Sequence, residues 1–218
     1  MRTLAPRPIL LAFTLLLIVG AIALIELRFN RAGPSDTQAE PPAAEPVTAE
    51  PSAIEDQTVE ERIADKEAEF SRAKEIVGPT GFINTDGVSI GENLGEKVVL
   101  LEFWTYSCFN CQNVQPYLNE WQEEYEDGGL LIIGVHRPEF EFEKDPASVR
   151  KAVEEAGIRY PVVLDNDSAT WEAYDNRYWP ARYLIDADGF IRYQHFGEGA
   201  YEENEEEIQE LLSERDEI

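Results

Sequence analysis

"FWTYSCFNCQNVQP", residues 103–116, carries both cysteines of the chain, Cys108 and Cys111, with two residues between them. Three chemistries use such a spacing: a structural bridge, half of a zinc site, and a redox pair. A structural zinc takes four ligands, usually in two close pairs. The chain's 2 histidines, His136 and His195, lie far from the cysteines and from each other in sequence. A bridge between residues this near closes a tiny loop and gains little chain entropy. Position favours the redox pair. "KVVLLEFW" (97–104) reads as a buried strand, and the spacing from Cys108 to about Tyr125 is helical. Cys108 therefore stands where strand gives way to helix, facing free N–H groups and the positive end of a helix dipole, which favour a thiolate. Cys111 lies one turn further in, shielded, and able to attack a mixed disulfide formed at Cys108.

Outward from the cysteines the alternation continues. "LLIIGV" (130–135) and "YPVVLD" (160–165) read as strands. "DPASVRKAVEEAG" (145–157) is a helix with Asp145 as N-cap and Pro146 at its first position. "SATWEAY" (168–174) is a short helix, "ARYLIDADGFIRYQHF" (181–196) an antiparallel pair about Asp188-Gly189, and 201–218 a closing amphipathic helix. "FINTDGVSI" (82–90) carries a hairpin signal at Thr85-Asp86-Gly87. This order predicts an α/β domain, a mixed central β-sheet flanked by helices. A Cys-x-x-Cys in that setting reads as a thioredoxin-like site.

Upstream, Thr58 and Glu61 form a capping-box pattern opening a solvated connecting helix, with Val59, Ile63, Phe70 and Val77 as a sparse stripe, expected to end at Gly78-Pro79. Residues 33–57, rich in proline, alanine and acids, read as an extended tether. Arg2 and Arg7 precede an apolar run from Ile9 to Ile25, at the short limit for a spanning helix. The expected organisation is a membrane anchor or signal peptide (1–30), an acidic linker (31–57), the connecting helix (58–78) and the domain (79–218). Either N-terminal reading exports the rest, placing it on the extracytoplasmic side of the cell membrane, where disulfide chemistry is permitted. With 44 acidic against 18 basic residues, net charge -26, the chain lacks the basic footprint nucleic acid requires. The acids are spread throughout, which predicts a fold adapted to high salt.

Further residues support the redox reading. Pro116 falls inside the helix that follows the cysteines, where proline kinks the axis. Glu102 is the lone acid in the apolar strand, and a carboxyl buried there holds a proton. Pro180 in "YWPARYLID" precedes a strand, a setting for a cis peptide. Trp104 reads as core packing, whereas Tyr106, Phe109, Asn110, Trp179 and, beyond a strand end, His136 are candidates to meet a substrate.

Residues from about Pro79 to Leu212 resemble the membrane-anchored TlpA-like branch of the thioredoxin superfamily, which includes ResA- and CcmG-type proteins. "GFINTDG", "FWTYSCFNCQNVQPYL", "GVHRPEF", "YPVVLDN", "YWPARYLID" and "FGEG" are most similar to the exported domain of DipZ-type proteins. The resemblance implies a thioredoxin-like fold with an N-terminal β-hairpin and an insertion before the later strands. It implies that Cys108 attacks, Cys111 resolves, Glu102 is the buried acid and Pro180 the cis-proline, with no cofactor beyond a redox-active Cys108–Cys111 disulfide. It implies reduction of a disulfide in an exported client, such as apocytochrome c awaiting haem. There are departures: Ser107 stands where tryptophan is common, and Phe109-Asn110 is an unusual dipeptide. DipZ-type proteins also carry a multi-helix electron-supplying membrane domain, so this chain's electron donor is expected to be a separate membrane protein. Two alternatives stay open, a thiol peroxidase of the redoxin type and a non-catalytic binding domain.

Overall fold

The computed structural model describes residues 58–217. Helix α1 (Val59–Glu69) opens on the expected capping box, the Thr58 N–H donating to Glu61 Oε2 at 3.1 Å and the Glu61 N–H to Thr58 Oγ1 at 3.3 Å. It ends earlier than expected, at Phe70, because the chain turns extended there and enters strand β1 (Ser71–Arg72). The apolar stripe does not hold the helix either: Val59 is 61% exposed and Val77 lies beyond the end. Its buried residue is Lys66, whose Nζ sits 2.7 Å from both Asp186 Oδ2 and Asp188 Oδ2 and 2.5 Å from Glu214 Oε1. A helix with little apolar surface is thus anchored by charge.

The remaining elements are β2 (Gly81–Ile83), β3 (Val98–Trp104), α2 (Phe109–Tyr125), β4 (Leu130–His136), α3 (Pro146–Glu155), β5 (Val162–Leu164), α4 (Ala169–Ala173), β6 (Ala181–Ile185), β7 (Phe190–Phe196) and α5 (Tyr201–Asp216). The strands form one seven-stranded mixed sheet, order β1-β7-β6-β3-β4-β5-β2. β3, β4 and β5 run parallel, while β6 is antiparallel to β3 and β7 to β6. α3 and β5 stand between the β3–α2–β4 unit and the β6–β7–α5 unit, in the place expected of the insertion.

The N-terminal hairpin is not formed. β2 pairs with β5, Phe82 opposite Val163, and β1 pairs with β7. Asn84, at φ 64°, donates its side-chain amide to the carbonyls of Ile158 and Tyr160 and turns the chain away. Val88–Ile90 then leads into a 3-10 turn (Gly91–Asn93), where the Glu75 carboxylate accepts the N–H groups of Ile90 and Gly91, each at 2.9 Å.

Every residue of β3 is buried, and successive side chains leave on opposite faces. Val98, Leu100 and Trp104 join Cys111, Leu118 and Trp121 of α2 and Ile208 and Leu211 of α5. Val99, Leu101 and Phe103 join Tyr174, Tyr183 and Val135 on the other face. Each such side chain contributes about 1.5–3 kcal/mol on burial, so β3 is held rigidly where it delivers the chain to Cys108.

Candidate active site

Cys108 is the N-cap of α2, and its Sγ accepts the Cys111 N–H at 3.2 Å. The two cysteines are joined in a disulfide, their Cα atoms 5.2 Å apart. Cys111 is buried and Cys108 half-buried, while Phe109 and Asn110 between them are exposed. Cys108 is therefore the more accessible of the two sulfurs. Pro116 lies within α2, and a cleft of about 540 Å³ between α2 and α3 reaches Cys111, bordered by Trp104, Tyr106, Pro116 and Ala152.

The loop carrying Cys108 is fixed by a residue the sequence reading missed. The buried Glu143 carboxylate accepts the hydroxyls of Thr105 at 2.6 Å and Ser107 at 2.7 Å, and the N–H groups of Ser107, Glu139 and Phe140 at 3.3, 2.7 and 2.9 Å. Burial pushes this carboxyl up, but the Thr105 and Ser107 hydroxyls and the two N–H groups of 139–140 outweigh it and hold it below the usual range. In "EFEFEK" nothing marks Glu143 out from its neighbouring acids.

His136 takes a different place from the one expected. It is fully buried, stacked on Tyr106 with centroids 5.7 Å apart and edge-on to Trp104 at 5.2 Å, with Nε2 3.3 Å from Thr105 Oγ1. Burial pushes its imidazole down to about 4, leaving it neutral near pH 7. A side chain so enclosed packs beneath the loop rather than on the surface where the sequence reading set it. Strand β4 runs one residue further than "LLIIGV", and that residue is His136. Trp104 is buried, as core packing requires.

Tyr106 is half-buried, and its hydroxyl donates to the Phe142 carbonyl at 3.4 Å. Phe142 stacks on Phe140, both exposed. The Trp179–Pro180 peptide is cis, and pairing of Phe103 with Ala181 sets Pro180 level with the end of β3. Trp179 donates Nε1–H to the Arg137 carbonyl at 3.2 Å, and the Arg137 guanidinium lies 5.0 Å from the rings of both Trp171 and Trp179.

Glu102 is enclosed, 1% exposed, on the face of β3 that also bears Trp104 and is covered by Cys111. Its register partners are Gly134 on β4 and Arg182 on β6. A Cβ at Gly134 would come within 3.1 Å of Trp104 Nε1 and of the Tyr160 ring. The Arg182 Nε lies 3.7 Å from Glu102 Oε2, and neither carboxyl oxygen has a hydrogen-bond partner among the described residues. Burial pushes the carboxyl up to about 8, with Arg182 drawing it back. Arg182, fully buried, is the second residue that sequence reasoning passed over.

The profile of the AhpC/TSA family matches residues 65–194. Protein DipZ of Mycobacterium tuberculosis is 49% identical over 144 residues, which are 65% of this chain and 21% of DipZ, so the chain spans about a fifth of that relative. Thiol-disulfide oxidoreductase YkuV of Bacillus subtilis is 31% identical over 140 residues, 64% of this chain and 93% of YkuV. A solution structure of a thioredoxin-like protein in the oxidized form superposes with a TM-score of 0.61 at 30% identity, covering 66% of this chain and 97% of that one.

Proposed function

Because the chain belongs to the AhpC/TSA family and its domain is of the thiol–disulfide oxidoreductase class, we propose that it reduces disulfides in exported client proteins through Cys108 and Cys111. The observation that carries this is the asymmetry of the pair, with Cys108 accessible at a helix N-cap and Cys111 buried behind it. The Cys108 thiolate attacks a client disulfide, forming a mixed disulfide and releasing one client sulfur as a thiolate. Cys111 gives its proton, directly or through a water, to the ionised fraction of the Glu102 carboxyl. Its sulfur then attacks Cys108 Sγ, the bond to the client breaks, and the client leaves with both sulfurs reduced while Cys108–Cys111 is oxidised. A separate membrane thiol donor returns two electrons to the pair. Trp179 and Pro180 flank the client's backbone, and Tyr106, Phe109 and Asn110 form the rim around Cys108.

The client class is an exported polypeptide with an unwanted disulfide, apocytochrome c among them, and the domain works on the extracytoplasmic face of the cell membrane. Among the described residues no helix is long and apolar enough to cross a membrane. The anchor would come from the apolar run Ile9–Ile25, which lies outside the described residues.

A redox titration of residues 58–218, scored by thiol alkylation and mass, tests the proposal. A midpoint near or below about −250 mV supports a reductant, and one near −120 mV, roughly that of a disulfide-forming oxidant, refutes it. A pair that does not cycle removes the enzyme reading. The peroxidase alternative requires the reduced protein to consume peroxide.

A further inference from the structure

We propose that Arg182 is a positioning residue for the exchange reaction, holding Glu102 in a state from which it can both accept and return the Cys111 proton. The inference rests on the proton-transfer role given to Glu102 above. Arg182 is the register partner of Glu102 across β3 and β6 and is as deeply buried as its partner. Its Nη2 donates to the carbonyls of Gly197 and Gly199 at 3.1 and 2.9 Å, which pins the guanidinium. The same Gly197 donates its N–H to the Pro180 carbonyl at 2.8 Å, and Glu198 between the two glycines accepts from Asn113 of α2 at 3.2 Å. The guanidinium is thus fixed by the loop that borders Pro180 and the cysteine helix.

Its remaining edge faces Glu102 without closing a hydrogen bond. Arg182 Nε and Nη1 have no hydrogen-bond partner among the described residues, and Nε stands 3.7 Å from Glu102 Oε2. A bidentate pair would lock the carboxyl as an ion, and a distant charge would leave burial to lock it as an acid. At this separation the arginine offsets part of the desolvation and the carboxyl remains able to change state. Other groups around it are neutral or point elsewhere. Gly134 offers no side chain from β4, and the buried Tyr160 phenol accepts from Gln115 at 2.7 Å. Cys111 caps this face from α2. Tyr193 of β7 and Tyr201 of α5, with the carboxylates of Glu198, Glu203 and Glu207 beyond them, lie on the Arg182 side. His195, opposite Arg182 in register, turns its Nε2 to the Glu198 carbonyl at 3.4 Å.

The test uses the full chain. Infrared difference spectra, wild type minus Glu102→Gln, isolate the protonated C=O stretch of Glu102, which is expected to titrate near pH 8. In Arg182→Met the midpoint should rise by about one to three pH units, and reduction of a model disulfide protein at pH 7 should fall by about tenfold or more. Arg182→Lys, which keeps the charge, should stay closer to wild type than Arg182→Met on both measures. The double variant with Glu102→Gln should be no slower than Glu102→Gln alone, because Arg182 acts through the carboxyl. A midpoint unmoved in Arg182→Met, or a double variant slower than Glu102→Gln, overturns the inference. If Arg182→Met does not fold, Arg182→Gln, still able to donate to Gly197 and Gly199, carries the same expectation. The infrared midpoint tests Arg182, whereas a wild-type exchange rate in Glu102→Gln removes the proton-transfer role itself, so the two fail separately.

Discussion

Replacing Glu102 with glutamine keeps the side-chain volume and removes its ionisation. In the folded protein burial raises this carboxyl from its ordinary 4.5 to about 8, Arg182 offsetting only part of the rise. Between those values the native carboxyl keeps a proton that the unfolded chain has released. The folded state therefore binds more protons than the unfolded one, and this group makes stability fall as pH rises through the window. Each pH unit is worth about 1.4 kcal/mol. Wild type thus loses on the order of 5 kcal/mol to Glu102 between about pH 4.5 and about pH 8, and Glu102→Gln loses none of it. Near the lower limit both side chains are neutral and the two proteins should unfold together. With 44 acidic residues the absolute pH dependence is crowded, but subtracting one protein from the other cancels every group except this one. Urea unfolding of both oxidised proteins at several pH values is the assay. By about pH 8 the variant's midpoint should lie roughly 2 M above that of wild type, given an m of about 2 kcal/mol/M. A difference that stays constant with pH would refute the reasoning: Glu102 would be titrating as an exposed acid, and neither its role as proton acceptor nor the one assigned to Arg182 could stand.

Glu143→Gln should destabilise the protein by about 2–4 kcal/mol at neutral pH, because one amide oxygen cannot accept what two carboxylate oxygens do. This carboxyl is held below its ordinary value, so its contribution is present above the unfolded pKa and lost as pH falls through the folded one. Urea unfolding at neutral and acid pH checks both the size and the sign. Lys66→Met leaves Asp186, Asp188 and Glu214 with Arg62 and Arg192 as their remaining cations and should cost about 1.5–3 kcal/mol. Hydrogen exchange should show α1 losing protection first. The wild-type protein, with its acid excess of 44 to 18, should gain thermal stability from low to molar salt, and a flat series would remove the high-salt reading.

Much of the fold was legible because each element carries its own signature. β3 is a continuous apolar run, α3 opens on Asp145 and Pro146, and α1 opens on a reciprocal cap. What failed was pairing. "FINTDGVSI" shows correctly that the chain turns near Thr85, but a turn signal does not say which strand takes the free edge. β5 offered Gly81–Ile83 a partner, and Asn84 secured the departure through carbonyls more than seventy positions away. The end of α1 failed for the same reason, since Ser71 and Arg72 have helical neighbours in sequence and a β7 partner in space.

The site divides along the same line. Cys108, Cys111, Glu102 and Pro180 stood out because their residue types are rare where they occur: 2 cysteines in the chain, one acid in an apolar strand, one proline before another. Glu143 and Arg182 are common types in unremarkable positions, and only the fold gives them meaning. Glu143 matters because five donors from two separate loops converge on it. Arg182 matters because the β3–β6 register sets it opposite Glu102. In the proposed mechanism the motif specifies which sulfur reacts, while cross-strand register sets the electrostatics under which it does so. Two relatives can share Cys-x-x-Cys and the buried acid yet differ in how readily the acid gives up its proton, if one has an arginine at the cross-strand position and the other an apolar residue. If the roles proposed for Glu102 and Arg182 hold, the pH dependence of exchange in this protein follows less from the four letters of the motif than from what stands beside Glu102 on β6.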